Sequence, residues 1–430
     1  MHRGPPPRIA DPATLDRVLD DLAGRRTGER IQILRQRKGL TRPVLAGLVG
    51  MSASWLKGIE RGTRLPPRLP QLVKLAEALA VGDVAVLAGI DMDLGGATSV
   101  PVASFARIPH DAVPAIREAV RDPLLVTPPG PVDVTALASR TSDAWRLWHR
   151  SSQHRTDVGR ILPRLVTDAR IAARTAEGPD RRAASAVLAD VYALVQHEVV
   201  WASETDLIWT AADRAMSAAQ DADTPAALAS AGWTLGMVQR SVGDTDAALA
   251  LALDVLALLE PRLEHVEDDV RGMYGALQLH AAVTVARDGR EGDAWRHWDA
   301  ARTTAIRLGD GYNHPWTMFG TSNVKLHAVS IAADLSKSSD VRNHAEDIDP
   351  DEIPSRERRG RLGVEIARSY HQRRDYAATL HWLEQAFDIS TDSVRYSPTA
   401  RQMTAETVDQ GGALISRRAR SLARSLGLPV

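Results

Sequence analysis

Three stretches of the chain repeat one pattern, and that pattern limits the fold more than any other feature. "WTLGMVQRSVGDTDAALALALDVLALLEP" (233–261), "LQLHAAVTVARDGREGDAWRHWDAARTTA" (277–305) and "GVEIARSYHQRRDYAATLHWLEQAFDIS" (363–390) each join two apolar helices across a short turn. The turns carry Gly243, Gly289 and Arg374. Small residues recur at matching places in the second helices, first as Ala248, Ala294 and Thr379, then as Val255, Ala301 and Ala386. Small side chains let the two helices of a hairpin approach closely, and such hairpins stack because none buries its apolar face alone. Weaker copies are expected at 186–219 and 319–350. Alternating β-rich runs with hairpin turns are missing, so the chain reads as all-α.

A length of 430 residues calls for more than one core. Composition divides the chain into a Pro-rich N-terminal extension (1–24), a region of four or five short helices (25–90), a linker with Gly and Pro concentrated at both ends (91–134) and the helical repeats (135–430). The repeats resemble the tetratricopeptide repeat, with Leu235, Gly236 and Tyr370 at family-like positions. Their spacing of roughly 38–47 residues exceeds that family's ~34, so the resemblance implies a degenerate α-solenoid.

Charge separates the same regions. Between Arg25 and Leu75 twelve Arg or Lys face two Glu, while the whole chain carries a net charge of −1. A basic module on an acidic body is the pattern of a protein with one end meeting a polyanion. Cysteine is absent, which excludes disulfides and thiolate metal sites. No apolar run approaches the ~20 residues of a membrane span, and the N-terminus lacks the apolar core of a signal peptide. A cytoplasmic, nucleoid-associated protein with no membrane partner is expected.

The basic module contains "TRPVLAGLVGMSASWLKGIERG" (41–62). Thr41 is placed to cap one helix and Pro43 is tolerated in its first turn. Leu45, Ala46 and Leu48 supply its buried side. Gly50 marks the turn, Ser52 caps the next helix, and Leu56 and Ile59 point inward. Ile31, Ile33 and Leu34 supply the preceding helix. Two short helices at this spacing, with a small residue at their crossing, are what a helix-turn-helix requires.

Thr41, Leu45, Ala46, Gly50, Ser52, Leu56, Ile59, Glu60 and Gly62 fall where helix-turn-helix regulators of the Cro/CI and xenobiotic-response-element class keep theirs. The following "RLPPRLPQLVKLAEALAVGDVAVLAG" looks like that family's fourth and fifth helices. The long C-terminal half, in "DAWRLWHRSSQHRTDVGRILPRL", "WTMFGTSNVKLHAVSIAADL" and "SVRYSPTARQM", resembles actinobacterial regulators of this class. The resemblance implies a five-helix lambda-repressor-like head joined by a linker to a tetratricopeptide-like solenoid. It implies double-stranded DNA as partner and a homodimer on two half-sites about one helical turn apart.

In that frame the recognition helix runs from Ala53 to Arg61. Ser52, Ala53, Ser54, Trp55, Lys57 and Arg61 are the expected DNA contacts, with Gly58 also outward. Arg42 at the start of the preceding helix, and Arg64 and Arg68 in the loop after the motif, are expected on phosphate or in the minor groove. Ala53, Ser54 and Gly58 stand where relatives carry Gln or Asn, and none of the three makes a bidentate base contact. Direct readout is therefore expected to be modest and the salt-dependent backbone contribution large. Trp55 either packs on sugar–phosphate or caps the domain's own core, and Glu60 is expected to tie down its own helix.

The long half offers a place for a signal. "GDGYNHPWTMFGTSNVKLH" (309–327) gathers Tyr312, Asn313, His314, Trp316, Phe319 and Asn323, which suit a small polar ligand or a peptide backbone, or else fill a joint between repeats. The pairs Trp145/Trp148 and Trp295/Trp298 read as core. Thirteen His are scattered without a metal-ligand spacing, and phosphate-loop and nucleophile-elbow motifs are missing. No metal, cofactor or catalytic residue is expected, and the chain does not read as an enzyme. The terminal "LISRRARSLARSLGL" reads as a helix capping the repeats. Two functions remain open: a sequence-specific DNA-binding regulator whose repeats sense a peptide or small molecule or mediate oligomerisation, and an interaction scaffold with a weakened helix-turn-helix.

Overall fold

A computed structural model describes residues 21–64, 66–67, 69–81, 83–92, 109–125, 133–202 and 205–428. Every regular element among them is helical. The chain divides into two compact units, the first of residues 1–106 and 242–244 and the second of residues 107–241 and 245–430.

The first unit holds α1 (Thr27–Arg37), α2 (Arg42–Leu48), α3 (Ala53–Arg61), α4 (Leu69–Ala78) and a 3₁₀ turn at Val84–Val86, where the fifth helix was expected. Caps begin the two central helices. Thr41 Oγ1 accepts from Val44 N at 3.4 Å, and Ser52 Oγ accepts from Trp55 N at 3.0 Å. Gly50 adopts φ +74°, a left-handed turn cheap only for glycine. Ile31, Leu34, Leu45, Ala46, Leu56 and Ile59 are buried in one core, and Ile33 packs against it. Leu48 departs from expectation. It is 62% exposed, because Val49, one turn on from Leu45, takes the inward place instead.

The second unit opens with α5 (Val113–Arg121), inside the stretch that reads as linker. Its Ile116 and Val120 are fully buried in the unit's core. Next come α6 (Val134–Arg150), α7 (His154–Thr175), α8 (Gly178–Val199), α9 (Thr205–Ala222), α10 (Pro225–Val242), α11 (Thr245–Leu259), α12 (Asp268–Arg287) and α13 (Glu291–Leu308). The remainder is α14 (Thr321–Asp334), α15 (Ser338–Glu346), α16 (Arg356–His371), α17 (Tyr376–Ile389), α18 (Thr391–Arg395), α19 (Pro398–Gln410) and α20 (Gly412–Ser425).

The repeat seen in the sequence is the repeat in space. Residues 233–261, 277–305 and 363–390 fall on α10/α11, α12/α13 and α16/α17, and the weaker copies fall on α8/α9 and α14/α15. The turn residues Gly243, Gly289 and Arg374 all take positive φ (+89°, +76° and +60°). Ala248, Ala294, Thr379, Val255, Ala301 and Ala386 are all buried. Close approach needs a small residue on the facing helix as well. A Cβ on Gly232 would meet Val255 at 2.6 Å, and one on Gly363 would meet Ala386 at 2.9 Å. On α20, Ala419, Leu422 and Ala423 are buried against the last repeats, while Arg417, Arg420 and Arg424 face solvent.

Candidate nucleic-acid interface

The helix-turn-helix is held from beneath by one buried carboxylate. Glu60, on the inner side of α3, accepts from Arg35 of α1 at 2.6 Å and 3.1 Å and from Arg42 Nε of α2 at 2.5 Å. Its side chain is fully buried, so a single anion ties three helices in a place where an unpaired charge would be costly. Arg35 also donates to Leu40 O at 2.8 Å, which fixes the loop leading into α2. Gly28 completes the crossing of α1 and α3. A Cβ there would lie 2.0 Å from Ile59 O, so no side chain fits.

The outer side of α3 is open. Ser52, Ala53, Ser54, Lys57 and Arg61 are exposed and form one stripe from the helix N-terminus to its last turn. Backbone N–H groups and the positive end of the helix dipole stand at the Ser52 end, and two cations stand farther along. The stripe thus joins short side chains at the helix N-terminus to two cations farther along.

Residues 26–88 match the model of a helix-turn-helix domain. The matched segment begins at the residue before α1 and ends just beyond the 3₁₀ turn. No curated protein matches the chain. A crystal structure of Bacillus thuringiensis PlcR in complex with the peptide PapR7 and DNA is similar at 10% identity, covering 84% of this chain and 98% of that one, with a TM-score of 0.30.

Two expected contacts, Trp55 and Arg42, and the expected outward Gly58 take other places. Trp55 is only 8% exposed and lies in the core of the unit, because it sits one position from Leu56 on the inner arc of α3. Gly58 is buried rather than outward. The Arg64 side chain crosses it, with Cγ 2.9 Å and Cδ 3.0 Å from where a Cβ would be. Arg42 is half-buried, and its Nε is occupied by Glu60. Arg64 itself is exposed, and Arg68 lies outside the described residues. The layering of Arg64 on Gly58 was not foreseen. Its only trace in the sequence is a glycine in mid-helix, a costly choice unless something must approach.

The aromatic patch of the second unit is packed rather than presented. Trp316 is 7% exposed, with its ring 5.2 Å from Trp145 and 5.3 Å from Trp233. Phe319 is fully buried, Asn323 Nδ2 reaches Thr317 O at 3.5 Å, and His314 Nδ1 accepts from Trp316 N and Thr317 N, both at 3.3 Å. Tyr312 OH donates toward Asp269 Oδ1 at 3.0 Å. These residues fill the joint between α12 and α14. Of the six residues named as a ligand site, Asn313 lines a groove of about 720 Å³, with Trp298, Arg302, Ile306, Lys325 and Asp347 among the other lining residues.

Histidines fill this interior as neutral groups. Burial, the largest cause in each case, depresses His154, His197, His314 and His327 to about 3 and His149 to about 4. His149 bridges elements far apart in sequence, with Nδ1 3.0 Å from Ser355 Oγ and Nε2 3.0 Å from Trp316 O. The two ring nitrogens face a hydroxyl and a carbonyl, which suits a neutral imidazole. Burial also raises Glu198, to about 8, against the nearby charge of Arg155. Among the described residues no group of His, Asp and Glu is placed to hold a metal ion, and no helix is long and apolar enough to cross a membrane.

Proposed function

We propose that the chain is a sequence-specific DNA-binding transcriptional regulator, with a head at 25–90 that lays α3 in the major groove. The observation that carries this reading is the exposed stripe Ser52, Ala53, Ser54, Lys57 and Arg61 on a helix-turn-helix whose inner side is locked by Glu60. Lys57 and Arg61 supply guanine or phosphate contacts, Ser54 a single hydrogen bond, and Ala53 a surface for a thymine methyl. Arg64 adds charge beside the stripe. The head reads one half-site, and a homodimer reads two. The helical repeats receive a peptide or small-molecule signal or hold the dimer together. The groove beside α13 and α14 is of a size that suits such a ligand.

Ala53 and Ser54 favour a second reading, an interaction scaffold with a weakened head, because neither makes a bidentate base contact. Selection of the full-length protein against random duplexes near physiological salt separates the two. An inverted repeat with half-sites about one turn apart, lost in Lys57→Ala/Arg61→Ala, is the outcome expected of the regulator. Salt-sensitive binding without sequence enrichment is the outcome expected of the scaffold.

A further inference from the structure

The repeat formed by α14 and α15 is uneven. α14 has 14 residues and α15 has 9, whereas α11, α13 and α17, the second helices of the three clear repeats, have 15, 18 and 14. At 1.5 Å per residue, α15 stops about 7 Å short of the far end of α14. The groove of about 720 Å³ opens at that place. Its lining from α14 falls within 321–328, and α15 gives only His344 of its last turn and Asp347 just beyond. The other wall is the second half of α13. There the Trp298 indole is pinned by its hydrogen bond to Val324 O at 2.8 Å, and Ile306 is left 61% exposed.

The charge of the groove is unbalanced. Lys325 lies 4.0 Å from Glu352, and Arg302 lies 3.8 Å from Asp299 and 5.8 Å from the Trp298 ring. Asp310 and Asp347 are exposed and make no ion pair among the described residues. Asp347 stands at the C-cap of α15, beside carbonyls that are already the negative end of a helix. An apolar step is thus flanked by two carboxylates that lack a cation.

The outward face of α20 has the complementary set. Leu414 is 78% exposed, and Arg417, Arg420 and Arg424 follow it along the same side of the helix. Arg418 is held by Glu384 at 2.9 Å, but these three arginines make no ion pair among the described residues. Leu414 and Arg417 are three positions apart and Ile306 and Asp310 four, so an apolar contact and an ion pair can form side by side.

We propose that the groove receives α20 of a second copy of the chain, with Leu414 on Ile306, Arg417 on Asp310 and Arg420 on Asp347. A helix laid in a groove is a common mode of recognition, and the contact made twice about a twofold axis closes a dimer. The proposal rests on the reading of the chain as a homodimer, and it assigns the groove to that pairing rather than to a small ligand.

The test is sedimentation velocity of the full-length chain without DNA over a range of concentrations. The expected result is a dimer whose dissociation constant rises at least tenfold in Leu414→Glu and in Asp310→Arg, with recovery in Asp310→Arg/Arg417→Asp. An equimolar mixture of Leu414→Glu and Asp310→Arg should associate more tightly than either alone, because one of its two contacts joins an unmodified groove to an unmodified α20. The substituted side chains are exposed, so each variant should melt as the parent does. A dimer equally tight in Leu414→Glu and Asp310→Arg overturns the proposal and leaves the homodimer held by another face. A monomer at every concentration also overturns it and leaves the groove to an effector. Two copies on one selected duplex would then keep the homodimer reading, and a single copy would remove that as well.

Discussion

Arg64 lies across Gly58, its Cγ and Cδ at 2.9 Å and 3.0 Å from the position of an absent Cβ. The glycine costs helix propensity and in exchange brings a cation against the flank of α3. Gly58→Ala is expected to gain up to about 1 kcal/mol of helix propensity while displacing Arg64. Unfolding of the variant should show no loss of stability. Its DNA affinity should fall less steeply with salt, the log–log slope flattening by about 0.9 for a lost phosphate contact. An unchanged slope would mean that Arg64 does not touch the backbone.

Glu60 anchors α1, α2 and α3 together, so its charge matters more than that of any exposed residue on the head. Glu60→Gln leaves two guanidiniums without their anion and is expected to cost about 3–5 kcal/mol. Hydrogen exchange measured by mass spectrometry should show lost protection across 27–61 with the second unit unchanged. Protection equal to that of the parent would place the clamp's contribution near zero.

The buried titratable groups set opposing pH slopes. Below pH 6.5 the unfolded chain protonates His149, His154, His197, His314 and His327, whereas the folded chain, with pKa values of about 3 to 4, does not. The unfolded state then binds more protons, and stability falls as pH falls. Glu198 acts in the other sense. Its pKa is raised from 4.5 to about 8, so between those values the folded state holds a proton that the unfolded state has lost, and stability falls as pH rises. The histidines dominate where the windows overlap, so stability still rises through pH 6.5 and turns over at about pH 7. In Glu198→Gln the decline from about pH 7 to 8 should flatten while the acid limb stays. Parallel melting curves for variant and parent over that range would show Glu198 to be ionised in the fold.

Trp316 joins Trp145, Trp233 and His197 in one aromatic packing. Trp316→Ala should therefore cost about 3–5 kcal/mol, as large aromatic truncations in cores do. A loss below about 1 kcal/mol in urea unfolding would instead mark residues 309–320 as a presented surface.

Helix pairing was legible in the chain because it is local. The small residues Ala248, Ala294 and Thr379, and the turn residues Gly243, Gly289 and Arg374, announce hairpins within about 30 residues of sequence. The cores of α1 to α3 followed from caps and spacing for the same reason, apart from Leu48, where a seven-residue helix left two candidates for one inward place. What lay beyond reading depends on partners far along the chain. Val113–Arg121 looked like linker because its few apolar residues show no partner in the sequence, yet Ile116 is fully buried in the second unit. Trp55 and Gly58 carry no local mark that tells the inner arc of a helix from the outer. His280 and Arg240 read as ordinary polar positions until the fold surrounds them.

Asp392 of α18 accepts from the backbone N–H of Arg155 at 2.9 Å, across 237 positions, and its own N–H reaches Ser152 O at 3.3 Å. The Arg155 guanidinium lies 5.3 Å from the Trp148 ring and 5.6 Å from the Tyr396 ring. A row of stacked hairpins ordinarily frays from its outermost members, since each has one neighbour rather than two. Here α18 is latched onto the start of α7, so the hairpins between them are tied at both sides and only α19 and α20 lie beyond the latch. Those two helices can peel alone, whereas a strain introduced at any joint between α7 and α18 is shared with the latch.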